Sequence, residues 1–90
     1  MDPNKYPAVH PQVASRTVDG SAIVVLADSG EVKILNAVGT RVWELVDGER
    51  TVQQIIDLII DEFEVPNDQA QQDVVEFLQQ LDKAHAIQWV

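Results

Sequence analysis

The chain has 90 residues, enough for one domain, and it carries no cysteine, which excludes disulfide bonds and thiolate metal sites. Fifteen acidic residues against six basic ones give a net charge of −9, which disfavours binding to the phosphates of nucleic acid. The N-terminus has no apolar signal segment, and no apolar run approaches the roughly 20 residues of a membrane-spanning helix. We therefore expect a cytoplasmic protein that binds neither nucleic acid nor a membrane.

The first eleven residues differ in composition from the rest of the chain. Pro3, Pro7 and Pro11 divide this segment and favour an extended backbone. Chain ends of this kind are often poorly ordered. We predict a flexible N-terminal arm over residues 1–11 and a single folded domain over residues 12–90.

Short β-rich runs follow the arm and are separated by turn residues. Asp19-Gly20 is a strong signal for a two-residue hairpin, and Asp28-Ser29-Gly30 is typical of a tight turn. Two short turns join strands that run antiparallel, so the pattern predicts a three-stranded meander. The predicted strands cover residues 13–18, 21–27 and 31–35.

The apolar period changes from two to 3.6 after Asn36, which indicates that the chain becomes helical. Asn36 is a typical N-cap residue, and Gly48 is typical of a helix end, so the first helix should reach about residue 46. Thr51 and Gln54 have the spacing of a capping box at the start of a second helix. Leu58 lies off the apolar stripe of that helix and is expected to be exposed.

Pro66 ends the second helix, and a third helix should begin at Asn67 or Asp68 and fade near His85. The apolar tail after it, residues 86–90, could add an edge strand or pack on the core. Strands followed by helices predict an α+β fold, a winged helix-turn-helix with a three-stranded antiparallel sheet followed by three α-helices. The residues of the third helix expected to face inward are Ala70, Val74, Phe77, Leu78 and Leu81.

The sequence offers no recognisable catalytic machinery. His10 and His85 are the two histidines, and neither lies in a metal-binding spacing. The serines lack the spacing of an activated nucleophile, and the four glycines are scattered at turns and caps. We therefore expect no enzyme activity, no cofactor and no metal. An unpaired sheet edge beside a helix remains, where an extended peptide could add as a further strand.

Four segments, given in one-letter code, resemble the family of PqqD-like proteins: EVKILNAVG, RVWELVDG, TVQQII and DVVEFLQQL. They occupy residues 31–39, 41–48, 51–56 and 73–81 in that order. The resemblance covers roughly residues 12–88, and residues 35–48 are its most specific part. Trp43 matches a family position, and we expect it to pack in the core.

This resemblance implies a non-catalytic recognition element for ribosomally synthesised peptides. Family members bind the leader segment of a precursor peptide and present the precursor to a separate leader peptidase or other modifying enzyme. The leader adds to the third strand, whose wall would be formed by Glu31, Val32, Lys33, Ile34 and Leu35. It lies against the third helix, whose wall would use Gln71, Val74, Val75, Leu78 and Asp82. Asp73 and Asp82 could meet basic residues of the leader.

Several functions stay open on the sequence alone. The stand-alone length favours the leader-binding protein (B1 type) of lasso peptide biosynthesis, expected to be a monomer. The alternative within the family is the peptide chaperone of pyrroloquinoline quinone biosynthesis. A winged-helix DNA-binding regulator would need basic residues on the third helix, where Lys83 is surrounded by acids. An assembly module would pair through residues 87–90.

Overall fold

The computed structural model describes residues 1–90 as one α+β domain with three helices and two small antiparallel sheets. The predicted winged helix-turn-helix with a three-stranded sheet and three α-helices is confirmed. No helix is both long enough and apolar enough to cross a membrane. The elements in chain order are β1 (Pro7–Val9), β2 (Ala14–Val18), β3 (Ser21–Val25), β4 (Val32–Ile34), α1 (Ala37–Leu45), α2 (Val52–Phe63), α3 (Asn67–Lys83) and β5 (Ile87–Trp89).

The three-stranded sheet is the meander predicted from the turn residues, with the order β2-β3-β4. The turn between β2 and β3 places Asp19 at φ 52° and Gly20 at φ 82°, a pair of left-handed residues that matches the twist of a tight hairpin. The strands are shorter than predicted, because residues 13, 26, 27, 31 and 35 belong to the connections.

One face of this sheet packs against the helices and forms half of the core. In β3, Ala22 and Val24 alternate toward the helices and are almost completely buried, whereas every residue of β2 is exposed. The indole of Trp43 is buried as expected and donates a hydrogen bond to Ser15 Oγ at 3.3 Å. The helices contribute the fully buried side chains Val42, Val52, Ile55, Ile59, Val74, Leu78 and Leu81.

The helix ends follow the capping residues read from the sequence. The Asn36 side chain accepts a hydrogen bond from the Gly39 N–H at 2.8 Å, and Thr51 and Gln54 form the predicted capping box of α2. The expectation for Leu58 was wrong, because this side chain is half-buried and packs against the core. The apolar surface of α2 is therefore broader than a single stripe.

A two-point ion pair joins α1 to α2 at the surface. Arg41 donates two hydrogen bonds to the Glu62 carboxylate, at 2.7 and 3.0 Å. This hydrogen-bonded guanidinium holds the pKa of Glu62 below its ordinary value, since it stabilises the charged carboxylate.

The N-terminal segment is anchored in this structure, which differs from the flexible arm that we expected. Its β1 strand pairs antiparallel with β5, with Ala8 opposite Gln88. The N–H groups of Val52 and Gln53, which begin α2, bond to carbonyls of residues 5 and 3. Strand pairing between the two chain ends is invisible to a local pattern, because the partners lie about 80 residues apart in sequence. The apolar tail does form an edge strand, as considered above.

Candidate functional site

The free edge of β4 presents unpaired backbone groups. The Leu35 N–H bonds to Ala22 O at 2.9 Å and the Leu26 N–H bonds to Glu31 O at 2.8 Å, so residues 31 and 35 direct their backbone groups toward β3. Antiparallel strands alternate bonded and free positions, and residue 33 therefore also bonds to β3. The backbone N–H and C=O groups of Val32 and Ile34 consequently point away from the sheet. They can bond to an added strand.

Alongside this edge runs a groove between β4 and α3, which we call the β4–α3 groove. It consists of two cavities that follow one another along both elements. The first cavity, about 410 Å³, is mostly apolar and is lined by Ile34, Leu35, Asn36, Val38, Gly39, Val42, Asp73 and Phe77. The second, about 490 Å³, is lined mainly by polar and charged residues, together with Leu26 and Ala84: Asp28, Ser29, Glu31, Lys33, Gln80, Lys83 and His85.

The polar end of the groove is bridged by two exposed side chains. His85 Nδ1 lies 2.6 Å from Asp28 Oδ2 and joins the end of α3 to the turn before β4. Within the same cavity Lys33 Nζ lies 3.9 Å from Glu31 Oε2, while Lys83 has no ion-pair partner. This end therefore offers charged groups of both signs to a ligand.

A buried threonine fixes the position of the sheet relative to α1. Thr40 Oγ1 accepts a hydrogen bond from the Ala22 N–H at 3.0 Å and donates one to Leu35 O at 3.2 Å. Because Thr40 is almost fully buried, both bonds are shielded from water. They hold the end of β4 at the apolar cavity.

Gly39 allows the start of α1 to lie close to the groove wall. A Cβ atom at this position would stand 3.2 Å from Asn36 Oδ1 and 3.6 Å from Phe77 Cζ. A larger residue would therefore disturb the N-cap of α1 and press on the apolar cavity.

Part of the predicted site is brought together in the groove. Glu31, Lys33, Ile34, Leu35 and Asp73 line one or other of its two cavities, although the Ile34 side chain points to the other face of the sheet, opposite Ile23. Val32 contributes backbone groups at the edge, while its side chain points to the other face of the sheet, opposite Val25.

The helical wall differs from the predicted one. Val74 and Leu78 have no accessible surface and belong to the core, so they pack beneath the helical wall and cannot contact a peptide in the groove. At 100° per residue, Gln71, Val75 and Asp82 lie on the flank of α3 that faces away from β4. Asp82 confirms this placement, since its carboxylate accepts a hydrogen bond from Trp89 Nε1 at 3.3 Å, beside the chain termini.

Sequence reasoning missed the residues of α3 that do face β4. Phe77, predicted to face the core, is half-buried and contacts the apolar cavity, and Gln80, Lys83 and Ala84 lie at the groove but outside the predicted site. A signal existed, since Asp73, Phe77, Gln80 and Ala84 follow each other at helical spacings of three and four. A single sequence does not show how α3 is rotated about its axis relative to the sheet.

Comparison with known proteins adds independent evidence on the family and the fold of this chain. The sequence profile of the family described as Coenzyme PQQ synthesis protein D (PqqD) matches residues 21–87. The solved structure of TbiB1 in complex with the TbiA(beta) leader peptide is similar with a TM-score of 0.80 and 25% identity, over 90% of this chain and 94% of that one. No curated protein matches the sequence significantly.

A second solved structure, of lasso peptide synthetase B1 complexed with the leader peptide, has a TM-score of 0.76. Its identity is 15%, over 93% of this chain and 96% of that chain, so it supports the fold alone. The family profile spans most of the chain, including β4, α1, α2 and α3. The chain therefore belongs to the PqqD family.

Proposed function

We propose that this chain is a non-catalytic recognition protein that binds the leader segment of a ribosomally synthesised precursor peptide. The observation that carries the proposal is the free backbone edge of β4 beside the β4–α3 groove. An extended peptide can bond to Val32 and Ile34 while its side chains enter the cavities, the mode of strand addition.

The two cavities favour a peptide with an apolar anchor. The apolar cavity offers Leu35, Val38 and Phe77 as contacts, and a disordered peptide needs such a filled pocket to offset the entropy that it loses on binding. The polar cavity follows at a distance of two to four residues along β4 and suits a polar or charged part of the same peptide.

We propose lasso peptide biosynthesis as the pathway, with delivery of the bound precursor to a separate leader peptidase or other modifying enzyme. The likeness to TbiB1, seen with its leader peptide, supports this assignment across most of both chains. The family description favours a second candidate, the peptide chaperone of pyrroloquinoline quinone biosynthesis, which would use the same groove.

Titration with candidate leaders tests the proposal, and the identity of the leader that binds distinguishes the two pathways. Leader peptides encoded by short reading frames beside this gene would be titrated by calorimetry, with duplex DNA as the control. We expect saturable binding of one leader with micromolar or lower Kd and no binding of DNA, because the net charge of −9 repels phosphates. Binding of DNA, or of no leader, would contradict the proposal.

A matched pair of variants locates the binding site. Phe77 and Val75 are both half-buried apolar residues of α3, but Phe77 lines the groove and Val75 lies on the opposite flank. Phe77→Ala is expected to weaken leader binding about tenfold or more, as for a truncated anchor residue, while Val75→Ala leaves it nearly unchanged. Equal effects of the two variants would place the leader elsewhere.

A further inference from the structure

The face of the β2-β3-β4 sheet that points away from the helices has no covering element. We call it the outer face. Cross-strand pairing places Ile23 opposite Ile34 and Val25 opposite Val32 on this face. The residues that point outward are Ala14, Arg16, Val18, Ser21, Ile23, Val25, Val32 and Ile34.

The outer face holds most of the large apolar side chains that the molecule exposes. Seven large apolar side chains are exposed, and four of them lie here: Val18 (40%), Val25 (36%), Val32 (57%) and Ile34 (73%). The other three, Met1, Tyr6 and Val90, lie near the chain ends. A contiguous apolar patch on a sheet face is typical of a docking surface for another protein.

The charge of this face defines the chemistry of its partner. The chain has fifteen acidic residues, yet no acidic side chain points outward from these strands. Arg16 carries the single charge of the face, and it forms no ion pair within the chain. A matching partner presents an apolar surface with a carboxylate opposite Arg16.

A second copy of the chain meets this requirement poorly. Two outer faces packed together would enclose two Arg16 side chains, and neither face carries a carboxylate to pair with them. An unpaired buried charge is costly, so the composition of the face favours a different protein.

The outer face is continuous with the proposed leader site, because both use β4. A peptide added to the β4 edge would extend the sheet, and every second peptide side chain would point to the outer face beside Val32 and Ile34. A protein docked on this face would therefore contact the chain and its bound peptide together.

We infer that the outer face is the docking surface for the enzyme that acts on the bound precursor, through apolar contact with Val18 and Val25 and an ion pair to Arg16. This inference rests on the proposed function. It predicts that the enzyme binds the leader-loaded chain more tightly than the empty chain.

The test uses the purified precursor-processing enzyme encoded beside this chain, with binding measured by interferometry in the presence and absence of leader. The double variant Val18→Thr/Val25→Thr, which leaves the β4 edge untouched, keeps side-chain shape and strand propensity but adds hydroxyls, and Arg16→Glu reverses the charge. Each is expected to weaken enzyme binding about tenfold and to leave leader affinity within about twofold. Arg16→Lys should retain most enzyme binding, and Val90→Thr, an exposed valine off the face, should retain all of it.

The outcomes separate this inference from the proposed function. Normal leader binding with unchanged enzyme affinity in the outer-face variants would overturn the docking surface and leave leader recognition intact. A wild-type dimer that Val18→Thr/Val25→Thr dissociates in sedimentation would assign the face to a second copy and overturn the inference. Failure of the wild-type chain to bind any leader would instead contradict the proposed function.

Discussion

Removal of one backbone donor at the free edge of β4 tests strand addition in a way that side-chain variants cannot. Val32→Pro deletes an N–H group that makes no bond within the sheet. Proline is compatible with this position, since Val32 is the first residue of an edge strand. Val32→Ala is the matched control, because it shortens the same side chain and keeps the N–H group.

The size of the effect follows from the hydrogen bond that is lost. A typical hydrogen bond contributes about 0.5–1.5 kcal/mol net, so Val32→Pro should raise the Kd for the leader roughly two- to twelvefold over Val32→Ala. The assay is calorimetric titration, with circular dichroism melting to verify the fold.

A second proline distinguishes the two sides of β4. Lys33 lies opposite Val24 and directs its N–H toward β3, so Lys33→Pro should destabilise the sheet itself. Equal leader affinity of Val32→Pro and Val32→Ala in folded protein would refute strand addition at this edge. Equal melting temperatures of Lys33→Pro and the wild type would refute the bonding pattern inferred for β4.

Three further predictions concern stability. Thr40→Val leaves the buried Ala22 N–H without a partner and should cost about 2 kcal/mol, or roughly 10 °C in Tm, whereas Thr40→Ser, which keeps the hydroxyl, should cost less. The ion pair with Arg41 lowers the pKa of Glu62 and therefore stabilises the fold at pH values above the ordinary pKa of 4.5. This contribution is lost as the pH falls through the lowered pKa. The Tm of Glu62→Gln should therefore fall less than that of the wild type between about pH 5 and about pH 3. Gly48 has φ 78°, and Gly48→Ala should lower stability by about 1 kcal/mol in chemical denaturation, a loss that an unchanged midpoint would contradict.

Local features of the fold could be predicted from the sequence because their causes are local. The N-cap of α1 at Asn36 and the capping box of Thr51 and Gln54 each depend on residues three positions apart. The turn at Asp19 and Gly20 likewise follows from conformational preferences of the two residues themselves.

Features that depend on packing between distant segments could not be predicted in the same way. The apolar stripe of α3 is broad, with Val75 on one flank and Phe77 on the other, and a single sequence does not say which flank faces the sheet. Gln71, Val75 and Asp82 were predicted to line the groove, whereas the structure places them on the flank that faces away from β4. The pairing of β1 with β5 was missed for a similar reason, because each strand has three residues and no turn connects them.

Amide hydrogen exchange of the free and leader-bound protein, followed residue by residue by NMR, tests whether the leader adds as a strand to the β4 edge. Both sheet edges offer free N–H groups: Val32 and Ile34 on β4, and Ser15 and Thr17 on β2, which alternate with the residues bonded to β3. We predict that saturating leader slows amide exchange at Val32 and Ile34 and leaves exchange at Ser15 and Thr17 unchanged. Protection at Ser15 and Thr17 instead, or at neither edge while the leader is bound, would contradict it.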